Sequence, residues 1–333
     1  MTCKLMPIDL TLIREFVVAG GRTRQKRNYV VILNDLGLGE AAGSVHYGAS
    51  AEKIESDLIK AISGISKNME SSDLDKYLSD IEKEICPPAM CALSTAWHDY
   101  KCKSHGQGLY ADLGLPRPYP KKTSITASVG DRLELERLIA AEYGIVKVKM
   151  DADTDDCREV IRLISSSEDT RFRIDANGSW TTDDAKKIID QLPVDRIELI
   201  EQPFAADDKK AWLKLREMSD IPLFMDESIV TADDMEKASN YIDGVNIKIQ
   251  KSGRLETAVE AMRTALKLNL RIMLGCMIES SVGIAAAYNL SGPVDYIDLD
   301  GRLLVEGDPF TGLEYSDGLL NTIDGYGHGV SLA

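Results

Sequence analysis

The chain is 333 residues long, 44% hydrophobic and 28% charged, a balance that suits a soluble protein with core enough for one large α/β domain and a smaller one. Its formal net charge of −15 argues against nucleic acid or an anionic membrane surface as a partner. No stretch nears the roughly 18 consecutive apolar residues of a membrane span, and the opening Met1–Pro7 lacks a signal peptide's apolar core, so a cytoplasmic protein is expected.

In chain order, Ile8–Val18 and Asn28–Leu33 read as strands of a meander, with Ala19–Arg27 turning between them. Ser50–Ile65 and Ser72–Ile85 repeat apolar residues at helical spacing, and Pro87-Pro88 opens a longer helix through Lys103. Pro116-Arg117-Pro118-Tyr119-Pro120 is a rigid linker, and it divides an α+β module, residues 1–119, from the remainder of the chain. Short strand-like runs then recur at Thr123–Val129, Ile145–Met150, Phe172–Ala176, Ile197–Glu201, Leu223–Asp226, Val245–Ile249, Arg271–Leu274 and Tyr296–Leu299. Amphipathic helices such as Asp131–Tyr143, Thr182–Gln191, Asp208–Met218, Ala232–Ser239 and Glu256–Leu268 lie between them. The expected fold class is therefore α/β: a modified (β/α)7β TIM-type barrel over residues 120–310 with an N-terminal α+β capping domain. The Gly-rich tail, 311–333, is expected to return to that cap.

The six cysteines show no C-x-x-C or finger spacing and are expected to be reduced thiols. His46, His98, His105 and His328 are scattered, which argues against a histidine-based zinc site.

The strand ends carry the chemistry. Asp175, Glu201 and Asp226 each close an apolar run, nearly evenly spaced at the length of one strand–helix repeat, so all three should meet at one rim of the barrel. Any one of them alone also reads as a helix cap. As a set they are three hard oxygen donors that suit Mg2+. Lys147 and Lys149 are two apart and share a strand face; on an edge strand such a pair is merely solvated, but inside a barrel both enter the mouth. Two ammonium groups so placed should depress a lysine pKa, with Lys149 the base and Lys147 its electrostatic partner. Lys248 lies four strands on, across the mouth, so that two lysines face one bound carbon from opposite sides and a proton can cross from face to face through an enediolate. Lys251 reads as solvated or structural. Asp298 and Asp300 at the eighth strand suit a substrate ammonium or cap a turn, and Glu279 is either a pocket acid or a helix cap. The basic run Arg22–Arg27 beside Gly20-Gly21 reads equally as a loop closing on an anion and as a solvated hairpin.

These motifs together resemble the enolase superfamily, in its muconate-lactonising subgroup, and within it the dipeptide epimerases of the L-Ala-D/L-Glu kind. The resemblance rests on Lys147-Val148-Lys149, Asp175 with Asn177, Glu201-Gln202-Pro203, Asp226-Glu227-Ser228, Asn246-Ile247-Lys248 and Asp298-Leu299-Asp300. It implies Mg2+ held by Asp175, Glu201 and Asp226 and engaging a dipeptide's C-terminal carboxylate. Lys149 and Lys248 then exchange the α-proton of the C-terminal residue, Asp298 and Asp300 hold the substrate's ammonium, and Arg22 meets a glutamate side chain. Thr126 on the first barrel strand and Met277 in the loop after the seventh are further pocket candidates. The expected partner is a small-molecule dipeptide, and a homo-oligomer is compatible with the sequence. Other readings are o-succinylbenzoate synthase or N-acylamino acid racemase activity, which leave Asp298-x-Asp300 without a purpose, and a catalytically silent binding protein, which needs no pair of bases.

Overall fold

Two long strands open the chain: β1 (Cys3–Val18) and β2 (Gly21–Leu33) pair antiparallel, and β3 (Gly37–Ala41) adds to β2. The computed structural model describes residues 1–18, 21–44, 48–152, 154–205, 207–229, 231–322 and 325–333; Ala19, Gly20 and His46 lie outside the described residues. The basic run from Arg22 to Arg27, expected as a turn, is the first half of β2. Cross-strand pairing overrides its polarity: Asp9 stands opposite Arg27, and the guanidinium donates twice to the carboxylate, at 2.8 and 2.7 Å. The register shifts between Thr11 and Phe16, so β1 bulges above the barrel.

Three helices come next: α1 (Ala51–Ser63), capped by Ser50, α2 (Ser71–Ile81), and α3 (Pro87–His105), with proline in its first turn. β3 lies so close on α3 that a Cβ at Gly39 would fall 2.0 Å from the Ala92 carbonyl oxygen, which requires glycine there. The one-turn α4 (Leu109–Asp112) and the short β4 (Lys121–Lys122) lead to the barrel.

The barrel then alternates β5 (Ile125–Ala127), α5 (Arg132–Ala140), β6 (Ile145–Lys149), α6 (Thr154–Ser166), β7 (Arg171–Asp175), α7 (Thr182–Ile189), β8 (Ile197–Glu201), α8 (Lys209–Met218), β9 (Leu223–Met225), α9 (Ala232–Ala238) and β10 (Gly244–Lys248). It continues through α10 (Ile249–Ser252), α11 (Leu255–Lys267), β11 (Arg271–Gly275), α12 (Ser281–Asn289) and β12 (Tyr296–Asp298). Strands β5 to β12 pair in chain order, all parallel, and a bridge between Thr123 and Ile297 brings the two ends together. This is a (β/α)7β barrel, because a short 3-10 turn, Gly301–Leu304, replaces a helix after β12. Helix α12 escapes a periodicity reading because all nine of its residues are buried and it has no polar face.

The chain then returns to its start. β13 (Val305–Glu306) pairs with β1, and Val305, Phe310 and Val330 pack with Ile8, Leu10 and Leu12. Apolar burial on that scale, at roughly 25 cal/mol per Å2, ties the tail to the antiparallel sheet. The long edge β1 is thereby partly covered.

Candidate active site

The strand register sets the site. Lys149, Asp175 and Glu201 are consecutive register partners at the C-terminal ends of β6, β7 and β8, and Asp226 directly follows β9. All three acids are at least 98% buried. Gln202, at φ 42°, turns the chain sharply after β8, and its Oε1 accepts the backbone N–H of Asp226 at 2.9 Å, which orients that acid.

Four lysines meet these acids. The Lys147 ammonium lies 3.0 Å from Asp175 Oδ2, 2.7 Å from Glu201 Oε2 and 2.9 Å from Asp298 Oδ2. Lys149 donates to Asp175 Oδ2 at 3.0 Å and to Asn177 Oδ1 at 2.8 Å. Lys248 donates to Asp226 Oδ2 at 2.6 Å. Lys251 is not solvated: it donates to Asp226 Oδ1 at 2.6 Å and to the Asn246 carbonyl at 2.9 Å.

The carboxylates change the expected electrostatics at Lys147. Burial opposes charge on Lys147, but the carboxylates of Asp175, Asp298 and Glu201 outweigh it and hold the ammonium well above its ordinary pKa. Burial likewise works against charge on Asp175 and Asp226, and the adjacent lysines overcome it, keeping both below the usual carboxylate range. Glu201 differs: burial, reinforced by Asp175 and Asp226 against the pull of Lys147, pushes it up to about 8.

A hard divalent cation matches this donor set in kind, since the crowded acids that raise Glu201 are relieved by positive charge among them. Among the described residues no three acids form a preassembled metal cage. The lysines hold them instead, and Asp175, Glu201 and Asp226 are the acids that could hold such an ion.

Asp298 and Asp300 are not equivalent. Asp298 is engaged by Lys147 and accepts from Ser124 Oγ at 2.5 Å. Asp300 accepts the Thr126 backbone N–H at 2.7 Å, and burial, with Asp298 nearby, raises it to about 6. Behind Asp298 lies Arg173, 1% exposed, whose guanidinium bonds Ser124 Oγ, the Ile297 carbonyl and Glu198. Sequence reasoning misses Arg173; its position two residues before Asp175, on one strand face, is the signal that could have found it. Glu279 proves not to be the cap of α12, a role that Ser280 fills; it is buried, accepts from the Met277 backbone and Gln250, and is raised to about 8 by burial and by Glu40.

A cavity of about 480 Å3 opens over these groups. Lys147, Lys149, Lys248, Asp298, Asp300, Thr126 and Met277 all line it, with Arg22 and Phe16 contributed from the antiparallel sheet. The volume is in the range of small-molecule sites. Arg22 sits at its rim, its side chain 73% exposed and 3.6 Å from Glu15.

A parallel barrel whose strand ends present acids and lysines to one cavity defines an enzyme of the β/α-barrel class. More narrowly, the chain belongs to the enolase superfamily: the family described as "Enolase C-terminal domain-like" matches residues 131–333. The L-Ala-D/L-amino acid epimerase of Pedosphaera parvula (strain Ellin514) is 33% identical over 337 residues, covering 96% of each chain. A substrate-liganded complex of the L-Ala-D/L-Glu epimerase from Bacillus subtilis has a TM-score of 0.86 at 26% identity, covering 99% of this chain and 98% of that one. A dipeptide epimerase from Methylococcus capsulatus, complexed with Mg and the dipeptide L-Arg-D-Lys, has a TM-score of 0.85 at 25% identity, covering 98% of each chain.

Proposed function

We propose that this chain is an isomerase, a dipeptide epimerase that inverts the α-carbon of the C-terminal residue, with L-Ala-D/L-Glu as substrate. The observation that carries the reading is the placement of Lys149 on β6 and Lys248 on β10, four strands apart in one barrel, both lining one cavity and each bonded to a different member of the acid trio. One lysine takes the α-proton and the opposite lysine, arriving protonated, delivers one to the other face. Lys147 is the fixed positive charge among the acids, and its surroundings keep it protonated rather than basic.

Asp175, Glu201 and Asp226 are the residues that hold Mg2+ in this reading. The ion, when bound, offsets the negative charge that develops on the substrate carboxylate. Asp300, with Asp298 beside it, receives the substrate ammonium. Its neighbour is already occupied by Lys147 and Ser124, which keeps N-acylamino acid racemisation as the second reading.

Deuterium uptake separates the two. The protein is incubated with Mg2+ in D2O with L-Ala-L-Glu, other free dipeptides, and their N-acetylated forms. A one-dalton gain confined to free dipeptides is expected; a gain confined to the acylated compounds overturns the dipeptide reading in favour of the second.

A further inference from the structure

Among the described residues, six cationic side chains line the cavity: Arg22, Lys26, Arg27, Lys147, Lys149 and Lys248. Five of them have an acid. The three barrel lysines are bound to Asp175, Glu201, Asp226 and Asp298, Arg27 is bidentate on Asp9, and Arg22 lies near Glu15. Lys26 is the exception: among the described residues no hydrogen bond or ion pair engages its ammonium.

Its place in the fold is fixed. On β2, Lys26 shares a face with Asn28 and Val30, since side chains alternate along a strand. Lys26 pairs across the sheet with Leu10, and Leu10 and Val30 both belong to the apolar layer that meets α12. Asn28 is fully buried and donates to Glu40 Oε1 at 2.8 Å and to the Ile278 carbonyl at 2.9 Å, which pins this row of β2 onto the loop after β11. That loop also contributes Met277 and Ile278 to the cavity wall. Lys26, two residues before the pin, is thus held at the cavity roof, half-buried. Burial without a countercharge also lowers its pKa.

We infer that Lys26 is the residue that selects an acidic side chain on the substrate, and that the exposed Arg22 is not. The inference rests on the dipeptide reading above and deepens it. A partly desolvated ammonium gains from a ligand carboxylate what no protein acid here supplies, and a charge-assisted bond in that setting is strong. The pairing of Arg22 with Glu15 is exposed on both sides, and such pairs are weak and readily rearranged. The side chain recognised belongs either to the C-terminal or to the N-terminal residue; the chemistry, a carboxylate, is the same.

The test compares α-proton exchange in D2O by wild type, Lys26→Gln, Lys26→Arg and Arg22→Gln, with L-Ala-L-Glu, L-Glu-L-Ala and L-Ala-L-Leu as substrates. The ratio of kcat/KM for an acidic dipeptide to that for L-Ala-L-Leu is expected to fall about 10- to 100-fold in Lys26→Gln, mainly through KM. Lys26→Arg should restore most of it, and whichever acidic dipeptide loses the most names the end that Lys26 reads. An unchanged ratio in Lys26→Gln, or a larger fall in Arg22→Gln, overturns the assignment while leaving the epimerase reading intact. Wild type that exchanges none of the three dipeptides overturns the epimerase reading itself.

Discussion

The floor and the roof of the cavity carry similar charges under opposite regimes. On the floor, Lys147, Lys149 and Lys248 each lie within 3.0 Å of a buried carboxylate, on strands locked by the barrel ladder. On the roof, Arg22 and Arg27 make exposed pairs, and Lys26, among the described residues, makes none. Removing one partner of a buried pair strands the other and costs heavily, whereas an exposed pair is worth about 0–1 kcal/mol. The floor is therefore over-determined and resists change, and the roof can be altered at little cost to the fold. In the proposed reading, chemistry belongs to the first and substrate choice to the second.

The largest effects should come from the floor. Lys149→Ala and Lys248→Ala are each expected to reduce exchange by about two to four orders of magnitude, but each with only one epimer of the substrate. Deuterium uptake from the two epimers measured separately decides this; equal loss from both in either variant breaks the two-face arrangement. Next come the two acids of the eighth strand. Asp298→Asn removes a partner of Lys147 and should lower kcat as well as raise KM. Asp300, whose carboxylate meets the Thr126 backbone and the Cys276 thiol, is set apart from that lysine, so Asp300→Asn should act mainly on KM. A rise of about tenfold is expected there. Steady-state kinetics that split the same way in both variants would erase the distinction drawn between them. The roof comes next, with the Lys26 and Arg22 variants shifting preference rather than chemistry.

How much of this is legible in the sequence differs between the same two regions. Barrel strands with buried faces read as continuous apolar runs ending in acids, so Asp175, Glu201, Asp226, Lys149 and Lys248 stand out and all fall at one rim. What the runs conceal is pairing. Lys147 and Lys149 look like a mutually repelling pair until Asp298, far along the chain, is seen to reach Lys147. Arg173 is hidden for the same reason, since its partners Ser124, Glu198 and Ile297 come from three other segments. On the roof the run Arg22–Arg27 resembles a solvated turn because the acids that meet two of its charges, Glu15 for Arg22 and Asp9 for Arg27, lie on the neighbouring strand, where no local pattern reveals them. Alternation along β2 then separates Lys26 from Arg27, a distinction that emerges only once strand and inward face are known.

The smallest expected effect tests the join between floor and roof. Buried His98 of α3 meets Asp112 through Nδ1 at 2.6 Å and Glu256 of α11 through Nε2 at 3.1 Å, so one imidazolium clamps the helix beneath the antiparallel sheet to a barrel helix. Burial opposes its charge, but the two carboxylates prevail and raise its pKa. Burial also opposes charge on Asp112 and Glu256, and His98, with Lys101 and Arg254, still holds both below the usual range. His98, raised in the folded chain, therefore contributes fully below its unfolded pKa of about 6.5 and loses that contribution as pH rises through the folded value. The acids contribute fully above about 4 and lose theirs as pH falls through their lowered values. The clamp is strongest between about pH 4 and 6.5, and the melting temperature should decline by a few degrees as pH rises above that window. His98→Gln should flatten this dependence while leaving the epimer selectivity of exchange untouched, because the clamp lies away from the cavity. A melting profile in His98→Gln that keeps the wild-type slope would show that the join is held by apolar packing, and that the floor and roof do not depend on this charge to stay in register.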